Sequence, residues 1–83
     1  MNTVDWLSRL IAFDTTSRHS NLQLIDCVDE YLRGLGLQPW RAWNADQSKA
    51  NLFVTLPAHD GSIAGGTVLS GHTDVVPVDG QQW

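Results

Sequence analysis

Hydrophobic residues recur at helical spacing in the first segment of the chain, where polar residues separate them by three or four positions. The stripe consists of Val4, Leu7 and Ile11, and Leu10 widens it. This spacing predicts a helix over residues 3–13. Asn2 or Thr3 can cap its start, and Asp5 lies favourably in the first turn against the helix dipole.

A second helical stripe begins after the polar run "DTTSRHS" and is broader than the first. Its members are Leu22, Ile25, Val28, Leu32 and Leu35, flanked by Leu24, Cys27 and Tyr31. Ser20 followed by Gln23 fits a capping box at the start, and Gly34 and Gly36 supply a stop. So broad an apolar face predicts burial against more than one neighbour.

Beyond Gly36 the pattern changes to that of strands. We expect a short strand over residues 37–43 and another over 50–57, joined by the polar turn "NADQSK" into a hairpin-like ribbon. The contiguous apolar pair in "TVLSGH", residues 67–72, predicts a third strand covered on both faces. The predicted fold class is α/β: two helices, then three strands of an incomplete mixed sheet.

Composition narrows the class of protein. The chain has 83 residues, enough for one small domain, with 42% hydrophobic and 17% charged residues. A net charge of −4 and only five basic residues argue against binding to nucleic acid or to an anionic membrane. The start of the chain lacks the pattern of a secretory signal, no apolar run is long enough to cross a membrane, and Cys27 is the single cysteine. We therefore expect a soluble, cytoplasmic protein.

A histidine and an aspartate two residues apart follow the predicted third strand. In an extended chain, His72 and Asp74 point to the same side, at the carboxyl end where open α/β sheets hold ligands. A neutral imidazole is a good zinc ligand, and its other ring N–H is usually given to a carboxylate. From spacing alone, a loop in which His72 merely hydrogen-bonds Asp74 remains the alternative.

The longer segment around this pair, "LSGHTDVVPVDGQQW", resembles the first metal-binding motif of the zinc-dependent aminoacylase, dipeptidase and desuccinylase family of metallopeptidases. The resemblance extends upstream through "LIAFDTTS", "SNLQLIDCVDEYL" and "KANLFVTL", so it covers nearly the whole chain. "VPVDGQ" followed by tryptophan is typical of the acetylornithine deacetylase branch of this family. One departure is Asp14, where the family commonly has proline, and we expect it to loosen that loop.

The resemblance implies that residues 1–83 are the amino-terminal part of an incomplete zinc-peptidase-like catalytic domain. His72 would be the metal ligand, and Asp74 the catalytic-site carboxylate that orients it. The parent would be a homodimeric amidohydrolase with two zinc ions, for which cobalt can substitute. The remaining ligands and the general base would lie beyond Trp83, so we expect the 83-residue chain alone to be inactive.

The substrate implied by the resemblance is a small N-acyl amino acid. The branch points to removal of the N-acetyl group from N2-acetyl-L-ornithine in arginine biosynthesis. A related desuccinylase, aminoacylase or dipeptidase is the alternative within the family. An alternative from another class is a truncated chain without catalysis that binds a partner.

We expect the other charged, histidine, cysteine and tryptophan residues to have structural roles and not catalytic ones. Asp29 and Glu30, with Arg33, predict a solvated helix face. His19 and His59 are expected on the surface, and Cys27 as a buried structural thiol. The tryptophans are expected to make core contacts in the full enzyme: Trp6, Trp40, Trp43 and Trp83.

Overall fold

A computed structural model describes residues 2–81 of the chain. Trp83, with its expected core contacts and its place at the end of the motif, lies outside the described residues, as do Met1 and Gln82. In chain order the elements are α1 (Thr3–Ile11), α2 (Leu22–Gly34), β1 (Trp40–Trp43) and β2 (Ala50–Phe53). The chain thus combines two helices with a two-stranded antiparallel sheet, as a mixed α and β class requires.

Helix α1 begins where the sequence predicts. The Asn2 side chain accepts a hydrogen bond from the backbone N–H of Asp5 at 2.9 Å, and the Asp5 carboxylate accepts one from the Asn2 N–H at 3.3 Å. This reciprocal pair satisfies two backbone donors left free at the helix start. The helix ends at Ile11, two residues earlier than predicted. Val4, Leu7 and Ile11 of its apolar stripe are exposed, whereas Leu10 packs against the core. The helix also contacts α2 through Trp6, whose ring meets Tyr31 edge-on with centroids 4.5 Å apart.

Helix α2 ends as predicted but begins differently. Gly36 adopts a left-handed conformation with φ of 84°, its N–H bonds the carbonyl of Arg33, and Leu37 N–H bonds that of Leu32. These two bonds close a Schellman motif, for which glycine is suited because it has no Cβ. At the other end the predicted capping box is wrong: Ser20 Oγ accepts from Leu22 N–H at 3.1 Å, and Asn21 precedes the first helical residue.

The ribbon of two strands is confirmed, with shorter strands than predicted. Trp40 pairs with Phe53 and Trp43 with Ala50 in antiparallel register. Asn21 links this ribbon to the start of α2. Its side-chain amide donates to the carbonyl of Ala50 at 2.8 Å and accepts from the N–H of Ala50 at 3.1 Å. The amide thereby satisfies both backbone groups of a buried strand residue.

The core lies between α2 and β2 and is small. Its buried hydrophobic residues are Leu24, Ile25 and Ala50, and the partly buried residues packed around them are Leu10, Phe13, Leu22, Val28 and Leu52. Cys27 on α2 is half-buried rather than fully buried, so the predicted burial of its thiol holds only in part. The core is thin, as expected for so short a chain.

Asp29 corrects the interpretation of the acidic pair on α2. Glu30 is exposed as predicted, but only 5% of Asp29 is exposed, and its two carboxylate oxygens bind Arg33 Nε at 2.5 Å and Arg41 Nε at 2.8 Å. Burial raises the pKa of Asp29, but hydrogen bonds from Arg41 and Arg33 lower it more, so the net pKa lies below the ordinary value. The carboxylate therefore joins α2 to β1 and is not a solvated surface group.

The predicted third strand over residues 67–72 is absent from the described structure. Val68 and Leu69 are 78% and 93% exposed, so the prediction that both faces are covered is wrong here. A strand exists only where a neighbouring strand accepts and donates its backbone hydrogen bonds, and no described strand lies beside this segment. Among residues 2–81, no helix has both the length and the hydrophobicity needed to cross a membrane.

Candidate functional site

The segment that contains His72 and Asp74 lies against the polar loop that follows α1. Thr16 and Val75 form an isolated parallel bridge, in which Val75 N–H donates to Thr15 O at 3.2 Å and Ser17 N–H donates to Val75 O at 3.0 Å. The Thr15 hydroxyl donates to Thr73 O at 2.5 Å. Two stretches far apart in sequence are thus held together by backbone contacts, and the His-x-Asp pair projects from this junction.

His72 and Asp74 are brought together as the i, i+2 spacing predicts. His72 Nδ1 lies 2.9 Å from Asp74 Oδ1 and 3.0 Å from the Asp74 carbonyl oxygen. An ionised carboxylate and a carbonyl can only accept hydrogen bonds, so Nδ1 must carry the proton that lies between them. In the neutral ring, Nε2 is then the unprotonated nitrogen, and the His72 side chain is 85% exposed.

Asp74 is held in its ionised form by two donors. Ser17 Oγ donates to Asp74 Oδ2 at 2.7 Å, while His72 Nδ1 occupies the other oxygen. These hydrogen bonds, first from Ser17 and then from His72, hold the pKa of Asp74 below its ordinary value. At neutral pH the carboxylate therefore accepts at both oxygens.

Asp14 accepts two hydrogen bonds within the polar loop. Its Oδ1 accepts from the Thr16 N–H at 3.1 Å and from the Thr16 hydroxyl at 2.7 Å, an Asx-turn that sets the direction of the chain into the junction. These bonds to Thr16 also lower the pKa of Asp14. The expectation that aspartate in place of the family's proline loosens the loop stays a prediction, and the two bonds to Thr16 are contacts that a proline side chain could not make.

The other two histidines have surroundings different from those of His72. His19 Nε2 is 3.6 Å from Asp14, and His59 is exposed in the turn after β2. Within residues 2–81, no group of three or more histidine, cysteine or acidic side chains is close enough to hold a metal ion. The described residues therefore fit one zinc ligand with its orienting carboxylate, and they do not form a complete zinc site.

Sequence reasoning missed the residues that hold the site in place. Ser17 and Thr15 bind the His-x-Asp segment, and Lys49 Nζ donates to the Ser17 carbonyl from the end of the hairpin turn. Only the run of short polar side chains in "DTTS" signalled these contacts, because such residues often bond to nearby backbone. Their actual partners lie more than fifty residues away, beyond what a local pattern can indicate.

Comparison of the chain with protein-family models, with curated proteins and with solved structures gave no match.

Proposed function

We propose that the chain is the amino-terminal part of the catalytic domain of a zinc-dependent amidohydrolase. The proposed reaction is the removal of the acetyl group from N2-acetyl-L-ornithine, a step of arginine biosynthesis, in a cytoplasmic homodimer. In this proposal His72 is a ligand of one of two zinc ions, with cobalt as a substitute metal. The other ligands and the general base come from sequence outside these 83 residues.

The observation that carries the proposal is the pairing of His72 Nδ1 with Asp74 Oδ1 at 2.9 Å. This contact leaves Nε2 free of its proton on a side chain that is 85% exposed. A carboxylate that fixes the tautomer of a histidine is the usual companion of a histidine–zinc bond. The motif "SGHTDVVPVDGQ", with its resemblance to the zinc peptidases, supports the same assignment.

The residues of this chain would act by binding and orientation. A pair of zinc ions in such enzymes activates water and polarises the scissile amide carbonyl. His72 would present Nε2 as a ligand, and Asp74 would hold the ring through Nδ1–H and raise its basicity. Asp74 is thus expected to act through the histidine, and the proton on Nδ1 stays with the ring.

The exposed apolar surface is consistent with packing against further protein. Trp40, Phe53 and Leu56 are between 60% and 75% exposed, and Val68 and Leu69 in the segment before His72 are exposed further still. Large apolar areas of this kind mark protein contacts more often than free surface. In the proposal, the rest of the catalytic domain covers these exposed apolar side chains and supplies the strands that pair with residues 67–72.

The proposal is tested with the intact protein that carries these residues. Purified protein is assayed for release of acetate from N2-acetyl-L-ornithine, with succinyl and dipeptide substrates in parallel. Metal-dependent hydrolysis that is fastest on the acetyl substrate supports the proposal, and faster cleavage of another substrate assigns a related desuccinylase, aminoacylase or dipeptidase. Absence of hydrolysis on all of these substrates, with zinc present, would contradict the proposed reaction.

A second candidate is a chain without catalysis of its own that binds a protein partner. The exposed Trp40 and Phe53, which pair across the two strands, favour it. The intact mass of the protein from its natural source separates the two candidates. A mass several times that of 83 residues supports the enzyme, whereas a mass equal to that of the chain supports the partner-binding role.

A further inference from the structure

The Ser17 hydroxyl has a defined geometry relative to the His-x-Asp pair. Its oxygen lies 2.7 Å from Asp74 Oδ2 and 3.3 Å from the Val75 carbonyl. A hydroxyl has one proton, and the shorter, charge-assisted bond to the carboxylate is the stronger of the two. Asp74 therefore gives one oxygen to Ser17 and the other to His72.

The backbone holds Ser17 in place for this contact. Ser17 N–H donates to Val75 O, and Val75 N–H donates to Thr15 O, so the residues on either side of Thr16 are tied to the residue after Asp74. Thr15 and Thr16 are each only 7% exposed. The hydroxyl thus reaches Asp74 from a fixed backbone position, and the contact does not depend on two freely moving loops.

This arrangement differs from that of a serine nucleophile. An activated serine hydrogen-bonds to a histidine that removes its proton, and the aspartate lies on the far side of that histidine. Here Ser17 bonds to Asp74 and not to His72, so the histidine has no proton to take from it. What the serine can do is to hold the carboxylate.

We propose that Ser17 is a positioning residue that sets the tautomer of His72 through Asp74. By occupying Oδ2, the hydroxyl restricts rotation of the carboxylate and keeps Oδ1 directed at Nδ1, where the ionised oxygen is a stronger acceptor than the Asp74 carbonyl that lies 3.0 Å from the same nitrogen. The proton then stays on Nδ1, and Nε2 stays available. The inference deepens the proposed function, on which it rests for the role of Nε2 as a metal ligand.

The test is the tautomer of His72 in the metal-free, 15N-labelled chain, which long-range proton–nitrogen correlation spectra report at a pH where the ring is neutral. In the parent chain we expect a pyrrole-type shift at Nδ1 and a pyridine-type shift at Nε2. In Ser17→Ala we expect the two shifts to move towards those of the exposed His59, whose ring serves as the internal reference. Unchanged His72 shifts in a folded Ser17→Ala chain would overturn the inference.

A matched pair of variants protects the test against a loss of folding. Ser17→Thr keeps the hydroxyl and Ser17→Val removes it at nearly the same volume, and amide shifts of Leu24 and Ala50 report whether the core is intact. The threonine variant should keep the Nδ1–H tautomer and the valine variant should lose it. Identical tautomers in the two variants would overturn the inference.

The tautomer measurement does not require bound zinc, so it can be separated from the test of the proposed function. If His72 proves not to bind zinc while Ser17→Val still changes its tautomer, the proposed function fails and the positioning contact stands. If His72 binds zinc but its tautomer is the same in Ser17→Val as in Ser17→Thr, the proposed function stands and the inference fails.

Discussion

Asp29 and Arg41 join α2 to β1 through a hydrogen bond of 2.8 Å between Asp29 Oδ2 and Arg41 Nε. The carboxylate is nearly buried, and Arg33 from the next turn of α2 occupies its other oxygen. The hydrophobic core of residues 2–81 has only three buried residues, so this ionic contact adds to the packing and to the Asn21 bonds that join the ribbon to the helix.

Removing the Asp29 carboxylate should destabilise the fold strongly. Asp29→Asn removes the charged hydrogen bonds to Arg33, whose side chain is 57% exposed, and to Arg41, which keeps its contact with Asp26. Losing hydrogen bonds to a charged group of this kind costs about 1.5–3 kcal/mol. The matched control is Asp26→Asn, since Asp26 also binds Arg41 but its side chain is 65% exposed. We expect the control to cost about 1 kcal/mol or less. Urea unfolding followed by tryptophan fluorescence measures both, and equal losses would contradict the account.

Acid should weaken the fold through the same group. The pKa of Asp29 is lower in the folded chain than its ordinary value of 3.8. The stability it contributes is therefore fully present above that value and is lost as the pH falls through the folded pKa. We expect the urea midpoint to drop steeply below about pH 4 in the parent chain. Asp29→Asn should show a flatter dependence, and an unchanged slope in that variant would refute the assignment.

The side-chain amide of Asn21 should contribute more to the stability of the fold than is usual for a residue just before a helix. Asn21→Ala removes both bonds to Ala50 and leaves a buried N–H and carbonyl unsatisfied, which costs about 1–3 kcal/mol for each group. Ser20→Ala, which removes the exposed bond to Leu22 N–H, is the control and should cost about 1 kcal/mol or less. Thermal unfolding by circular dichroism compares the two, and a larger loss for Ser20→Ala would show that the Asn21 contacts are unimportant.

Asp74 should affect metal binding while leaving the fold intact, because its side chain is 59% exposed. Under the proposed function, Asp74→Ala in the intact protein should lower zinc affinity or the rate of hydrolysis about 10–100-fold, the loss typical of a zinc-bound histidine without its orienting carboxylate. Competition with a chelator measures the affinity, and Asp79→Ala, at the exposed ion pair with Arg18, is the control. Hydrolysis at the parental rate would mean that Asp74 is only a turn residue.

Local pattern predicted the elements that depend on local contacts. A side-chain cap at the start of α1, the stop at Gly36 and the pairing of β1 with β2 all involve residues close in sequence, so spacing and residue type were sufficient to predict them. Burial of residues 67–72 depended on neighbours that the pattern does not identify. Asp29 was misread because its second arginine lies 12 positions away on β1.

In the candidate site, too, the sequence predicted the short-range contact but not the long-range one. The contact of His72 with Asp74 spans two residues and follows from extended geometry. The contact of Ser17 with the same aspartate spans 57 residues and requires a parallel junction that no local signal indicates. Only the structure brings the serine, the aspartate and the histidine into one line of hydrogen bonds.

The chain by itself should bind no stoichiometric zinc. Zinc in proteins takes four ligands, and residues 2–81 supply no group of three candidate side chains. Dialysis of the 83-residue chain against zinc, followed by elemental analysis, should give well below one zinc per chain. One tightly held zinc per chain, together with a cooperative melt, would contradict the proposal that the site is completed by other sequence.

The most direct test of the proposed function is the zinc content of the intact protein with and without His72. Elemental analysis of the parent, of His72→Ala and of the control His59→Ala measures the zinc bound per chain after identical dialysis. We expect His72→Ala to lose zinc and most of its hydrolytic activity, and His59→Ala to keep both. Equal zinc content and equal rates in all three proteins would show that His72 is not a metal ligand.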